Sequence, residues 1–244
     1  MVHIFRSPTP VAGLVLGAVT LLAGCAPLPD ANLGSGSNTD TVTDVDGNIY
    51  RTVTLGGQMW MAENLAVTRM NDGSEIAEYA FGQNWNGGGL PRFQWADTTD
   101  LMGLHDDELP NNFYGAMYND FALAHSALAP EGWRLPSEED FLALGEFLAS
   151  LGHAEDEAAA LKTTSGWFEG SGNGTDLYGF SGLPAGYVAS TGSATGAGVI
   201  STWATSWVDA KAQVRRTANL HDSARIEYAD NSILLGAAVR CIRN

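Results

Sequence analysis

Between Thr41 and Leu65 apolar and polar positions alternate along the chain. "TVTDV" and "NIYRTVTL" flank Asp46-Gly47, a two-residue turn signal, and a second turn at Gly56-Gly57 leads into "QMWMAENL". This pattern predicts a meander of strands opening the domain. Residues 82–112 lose the alternation and read as loop, with "NWNGGGLP" and the acidic "DTTDLMGLHDDELPNN". Two helical stripes follow: Met117, Phe121, Ala124 and Leu128, then Phe141, Leu144, Leu148 and Leu151. Such stripes are core faces rather than cofactor boxes. Ser137 stands where an N-cap belongs, with Asp140 three residues on, a variant of the capping box. Glu138 and Glu139 sit at the positive end of that helix. Local physics therefore explains "PSEEDF", but not the "EGWR" just before it. A third, short helix is predicted at "EDEAAALKT". A Gly-rich tract, "SGWFEGSGNGTDLYGFSGLPAGYV", separates it from the β-rich end: "VISTWATSWV", "AQVRRTANL", "ARIEYA" and "GAAVRCIRN". Strands, then helices, then loops and strands predict one α+β domain over 41–244.

The first 24 residues stand apart from this domain. Arg6 precedes an apolar run, "VAGLVLGAVTLLAG", too short to span a bilayer as a helix. The run ends in "LAGC", which resembles the lipobox of bacterial lipoprotein signal peptides. That resemblance implies a signal peptide over 1–24 and acylation of Cys25 as the first mature residue. Two or three acyl chains, at about 0.8 kcal/mol per buried methylene, make a lasting anchor. Residues 25–40 are rich in Gly, Ser, Pro and Asn and form a flexible tether with a reach of roughly 20 Å. The expected location is the bacterial cell envelope, lipid-anchored at the outer membrane, on its periplasmic or surface face.

Charge and cysteines narrow the function classes. The chain has 12 Lys and Arg against 28 Asp and Glu, a formal charge of −16. Phosphate binding needs clustered cations, so a nucleic-acid partner is not expected. Cys25 and Cys241 are the two cysteines. With Cys25 acylated, the domain relies on its core rather than on disulfides. "DVDGN" invites a calcium reading, but its Gly falls fourth where an EF-hand loop needs it sixth, so a turn is the better reading. His105, His125, His153 and His221 are isolated in sequence, and Asp106-Asp107 shows no sign of mutual positioning. No zinc, nucleophile-elbow or phosphate-loop motif occurs. No catalytic residue, cofactor or metal site is expected.

"VTDVDGNIYRTVTLGGQMWMAENL", "YGAMYNDFAL", "APEGWRLPSEEDFLAL", "GFSGLPAGY", "STWATS" and "AAVRCIRN" occur in one order. That order resembles the Fibrobacter succinogenes major paralogous domain, similar to the C-type lectin-like fold and more distantly to formylglycine-generating enzymes. The resemblance implies a C-type lectin-like single domain with antiparallel strands, two main helices, its first and last strands paired and a long loop region. Family members often carry Cys where Ala129 stands, a partner for the Cys of the final strand. Its absence here implies a buried free thiol at Cys241. Formylglycine-generating enzymes hold copper through two thiolates, and the mature body has one Cys. The likeness therefore marks a fold and not that activity. Calcium-dependent lectins use Glu-Pro-Asn and Trp-Asn-Asp, of which "ELPNN" and "YND" (Tyr118–Asp120) are near-misses.

The expected function is non-catalytic binding of an extracellular glycan or protein by a domain anchored through Cys25. A structural envelope lipoprotein without a ligand and a degenerate formylglycine-generating-enzyme-like protein are the alternatives. Trp85, Trp95, Trp167, Trp203 and Trp207 lie in or beside loop-like stretches, where aromatic rings stack on sugars or fill cores. Trp85 and Trp95 have the least regular surroundings and are the expected ligand contacts.

Overall fold

The alternating start of the domain forms β1 (Thr41–Thr43), β2 (Ile49–Leu55) and β3 (Gln58–Met61). A computed structural model describes residues 40–97, 109–110 and 112–244 of the chain. The expected signal peptide, Cys25 and most of the tether lie outside the described residues, as do His105 and the pair Asp106-Asp107.

Gly56 and Gly57 make the two-residue turn from β2 to β3, with φ of +58° and +82°. Positive φ at both positions matches the twist of the flanking strands. A Cβ on Gly56 would also meet Phe147 Cβ at 2.8 Å. The first connection is longer than the two residues expected: Thr43 pairs with Ile49, and residues 44–48 form the loop. Asp44 organises it. Its Oδ1 accepts from the N–H groups of Asp46 and Asn48, and its Oδ2 from Tyr50 OH at 2.6 Å. Asp46 is spent likewise on Thr68 and Arg69. Both carboxylates answer protein donors, so "DVDGN" is a turn.

Next come β4 (Ala77–Glu78), β5 (Arg92–Trp95), β6 (Ala116–Tyr118), α1 (Asp120–Leu123) and β7 (Trp133–Arg134). Here the predicted helix over 117–128 is corrected. Met117 lies in a strand, and the helix is a single turn. Ala116, Met117 and Tyr118 are each fully buried, Met117 in one core cluster and its neighbours in another. A strand covered on both faces has no alternation, and its apolar run mimics a helical stripe. Asn119 then caps α1, accepting from Ala122 N at 3.1 Å.

The capping box is present on α2 (Glu138–Ser150): Ser137 Oγ accepts from Asp140 N, and Asp140 Oδ2 from Ser137 N at 2.6 Å. Arg134 forks the same carboxylate at 2.5 and 3.0 Å. That fork gives the "EGWR" segment its reason, since it fixes the angle between strand and helix. Phe141, Leu144 and Leu148 are buried as expected. The short helix is α3 (Glu157–Leu161). It is followed by β8 (Tyr187–Val188), β9 (Ala194–Thr195), β10 (Ser201–Asp209), β11 (Val214–Leu220), β12 (Glu227–Ser232), β13 (Ala237–Ala238) and β14 (Ile242–Arg243).

The strands form a five-stranded sheet, β1-β2-β3-β14-β7, and a seven-stranded sheet, β12-β11-β10-β13-β6-β5-β4, with β8-β9 a separate pair. Ile242 pairs with both Trp60 and Arg134, so the final strand is inserted beside β3 of the first meander and not paired with the first strand, β1, as expected. Pairing is antiparallel except β10 with β13 and β4 with β5. The architecture is α+β. Arg240, with no exposed surface, joins its parts. Its guanidinium donates to Asn64 Oδ1 at 3.0 Å and to the carbonyls of Phe180 and Ser181 at 2.6 and 3.2 Å. It also lies over the rings of Phe180 and Trp203 at 4.8 and 5.4 Å. Burial lowers its pKa to about 10, which leaves it charged at neutral pH.

Candidate functional site

Trp85 is not an exposed contact. The side chain is 1% exposed, packs edge-on against Tyr79 at 5.4 Å, and fills a space left by Gly236. A Cβ on Gly236 would stand 2.5 Å from the Trp85 ring. Its Gly-rich surroundings read as loop because the covering residue lies far away in sequence. Trp95 belongs to β5 rather than to a loop, paired with Ala116. It is half-buried against the first core cluster and edge-on to Phe93 at 5.0 Å. Trp167 and Trp203 are each 1% exposed, Trp203 giving its indole N–H to Asn64 at 2.8 Å.

Of the near-miss lectin residues, Asn119 and Asp120 of "YND" are absorbed by the fold, while Glu108 and Asn111 of "ELPNN" lie outside the described residues. Asn119 accepts from Arg92 N and donates to the carbonyls of Trp85 and Leu90. Asp120 is paired with the buried Arg215 at 2.6 Å. Neither is left over for a cation. Among the described residues no three His, Cys, Asp or Glu side chains converge on a metal position. Cys241 is buried and free, and burial pushes its thiol well up. No described helix is long and apolar enough to cross a membrane.

Among the described tryptophans, Trp207 is the exposed one, at 41%. Its setting follows from an irregularity in β10. Ala204 pairs with Thr217 and Val208 with Arg215, so residues 205–207 together oppose Arg216 alone. Such a bulge re-aims a side chain. It is pinned on both sides: Ser206 N donates to Pro136 O at 2.8 Å, and Thr205 Oγ1 to Arg216 O at 2.8 Å. Ser206 thereby ties the bulge to the segment that starts α2.

Across the sheet, Arg216 pairs in register with Asp230, which places Trp207, Arg216 and Asp230 in one row over three strands. The guanidinium carbon lies 5.5 Å from the Trp207 ring centroid. Arg216 Nε is 2.8 Å from Asp230 Oδ1, an ionic contact without hydrogen-bond alignment, and its Nη1 is 3.4 Å from Glu138 Oε1. The guanidinium thus braces the ring while two carboxylates hold the guanidinium. The result is an aromatic surface rimmed by charged donors and acceptors, at the end of the sheet beyond the first turn of α2. Such a surface can stack on an apolar ligand face and hydrogen-bond its periphery. The sequence shows Trp207 in the β-rich run "VISTWATSWV" beside loop-like stretches, but nothing local marks the bulge that exposes it.

A second polar arrangement surrounds His221, with Nδ1 2.5 Å from Asp222 and Nε2 2.8 Å from Glu227. Lys162 reaches the carbonyls of His221 and Ser171 and lies 4.3 Å over the Trp167 ring. These contacts staple surface loops together.

No curated protein and no solved structure matches the chain. The family model of the Fibrobacter succinogenes major domain matches residues 53–243. That span runs from within β2 to the end of β14 and takes in the bulge, the Arg216 row and the final-strand insertion. The chain belongs to the Fibrobacter succinogenes major domain family.

Proposed function

We propose that this protein is a lipid-anchored envelope protein whose domain, of C-type lectin-like fold, binds a glycan without catalysis. The observation that carries the reading is the exposed Trp207 in its row with Arg216 and Asp230. A pyranose offers such a surface an apolar face for the ring and hydroxyls for the carboxylates at the rim. The lectin-like fold is supported by the insertion of β14 beside the opening meander and by the long, sparsely structured tract between α3 and β10. Copper-thiolate chemistry of the formylglycine-generating kind is disfavoured by the state of Cys241, a buried free thiol whose pKa burial raises. The anchor rests on "LAGC" after the apolar run.

Two experiments test the proposal. Metabolic labelling with a fatty acid is expected in the intact chain and lost in Cys25→Ala; equal labelling of both contradicts the anchor. A glycan array probed with the protein is expected to show binding. Silence on every glycan favours a structural envelope protein without a dedicated ligand.

A further inference from the structure

A groove of about 540 Å³ lies on the five-stranded sheet, and Trp207 is not among its lining residues. It crosses all five strands, from Asp40 and Val42 at the β1 edge to Glu131 and Trp133 at the β7 edge. Val42, Met59 and the half-buried Trp133 supply its apolar lining. Arg243 projects into it from β14, in register with Trp133.

The charges in this groove are unusual for the molecule. Every other described arginine rests on an oxygen. Arg51, Arg69, Arg134, Arg215, Arg216 and Arg225 each meet a carboxylate. Arg92 meets an amide oxygen, and Arg240 meets carbonyls and Asn64. Among the described residues Arg243 has only the Met59 thioether, 3.5 Å away, and sulfur is a weak acceptor. Asp40 and Glu131 line the same groove, and neither carboxylate has an ion pair among the described residues. A cation and two anions therefore share one cleft and do not pair with one another.

We propose that this groove binds a small zwitterion carrying an ammonium and a carboxylate, the chemistry of an amino acid or short peptide. Arg243 takes the carboxylate, since a guanidinium presents parallel N–H groups that match its two oxygens. Asp40 or Glu131 takes the ammonium. Trp133 and Met59 receive the apolar part of the ligand. A plain anion is disfavoured by the flanking carboxylates and by the chain's −16 charge. A neutral sugar would leave the guanidinium without an ionic partner. The volume suits a ligand of a few residues at most, within the usual range of small-molecule clefts.

The test is calorimetric titration of the full-length protein in detergent micelles with a panel of unblocked apolar dipeptides, alongside their N-acetylated and C-amidated forms. Binding of unblocked peptides is expected, with affinity falling about tenfold or more on amidation and also on acetylation. Arg243→Gln should weaken the free acid by a similar factor and make amidation of little further consequence. Trp207→Ala should leave peptide binding unchanged, which separates this groove from the proposed glycan surface. Silence across the panel, equal binding of amidated and free peptides, or full affinity in Arg243→Gln overturns the proposal. Loss of peptide binding in Trp207→Ala overturns it as well, by assigning the ligand to the other surface.

Discussion

Arg240 Nε donates to Asn64 Oδ1 at 3.0 Å, joining the final part of the chain to the end of the opening meander inside the protein. Asn64 Oδ1 also accepts from Trp203, and Asn64 Nδ2 donates to Tyr114 O at 2.9 Å. Four distant stretches of sequence thus meet at one amide. Gly115 is required beside it, because a Cβ there would stand 2.4 Å from Asn64 Cβ.

Removing the cation leaves buried carbonyls without donors. Arg240→Met is expected to destabilise the domain by about 3 kcal/mol or more in urea unfolding. Arg240→Lys should recover only part of this, since one ammonium cannot span Asn64, Phe180 and Ser181. A lysine variant within about 0.5 kcal/mol of the wild type would show that charge alone matters there.

Ala129 and Cys241 pack in the same core cluster, at 7% and 0% exposure. Ala129→Cys is expected to oxidise to a disulfide with Cys241 and to raise the melting temperature, by closing a long loop in the unfolded chain. The check is the disappearance of the Cys241 thiol from a thiol titration under denaturing conditions, reversed by reductant. A thiol that persists after oxidation would mean that the two Cβ atoms do not meet.

His221 gives the domain a pH dependence. Burial opposes its charge, but the carboxylates of Asp222 and Glu227 outweigh burial and raise its pKa above the ordinary 6.5. A raised folded-state value stabilises the protein fully below about pH 6.5 and loses that effect as pH climbs through the folded value. The wild type should therefore exceed His221→Gln in melting temperature most clearly near pH 5.5, with the gap shrinking toward pH 8. A gap that widens with pH would reverse the assignment of charge.

What the sequence made legible was set by how local the physics is. Ser137 and Asp140 cap α2 from within four positions, so the helix start could be read directly. Gly56 and Gly57 announce their turn by the positive φ they alone take easily. The strand β6 could not be read, because burial of Met117 on one face and of Ala116 and Tyr118 on the other erases its period. Trp85 looked exposed for the opposite reason. Its neighbours are loop residues, while the space it fills is created by Gly236 at the far end of the chain. Trp207 depends on a bulge fixed by Pro136 and Arg216, neither of which is its sequence neighbour. Likewise the groove around Arg243 exists only once β14 is set between β3 and β7.

The most direct measurement of the central claim compares Trp207→Ala and Trp85→Ala for binding of the strongest glycan found on the array, alongside thermal unfolding. Trp207→Ala should weaken binding by about 1–3 kcal/mol with the melting temperature nearly unchanged. Trp85→Ala should cost about 3–5 kcal/mol of stability, with the molecules that remain folded still binding. Wild-type affinity in Trp207→Ala, or a sharp fall in its melting temperature, would contradict the account.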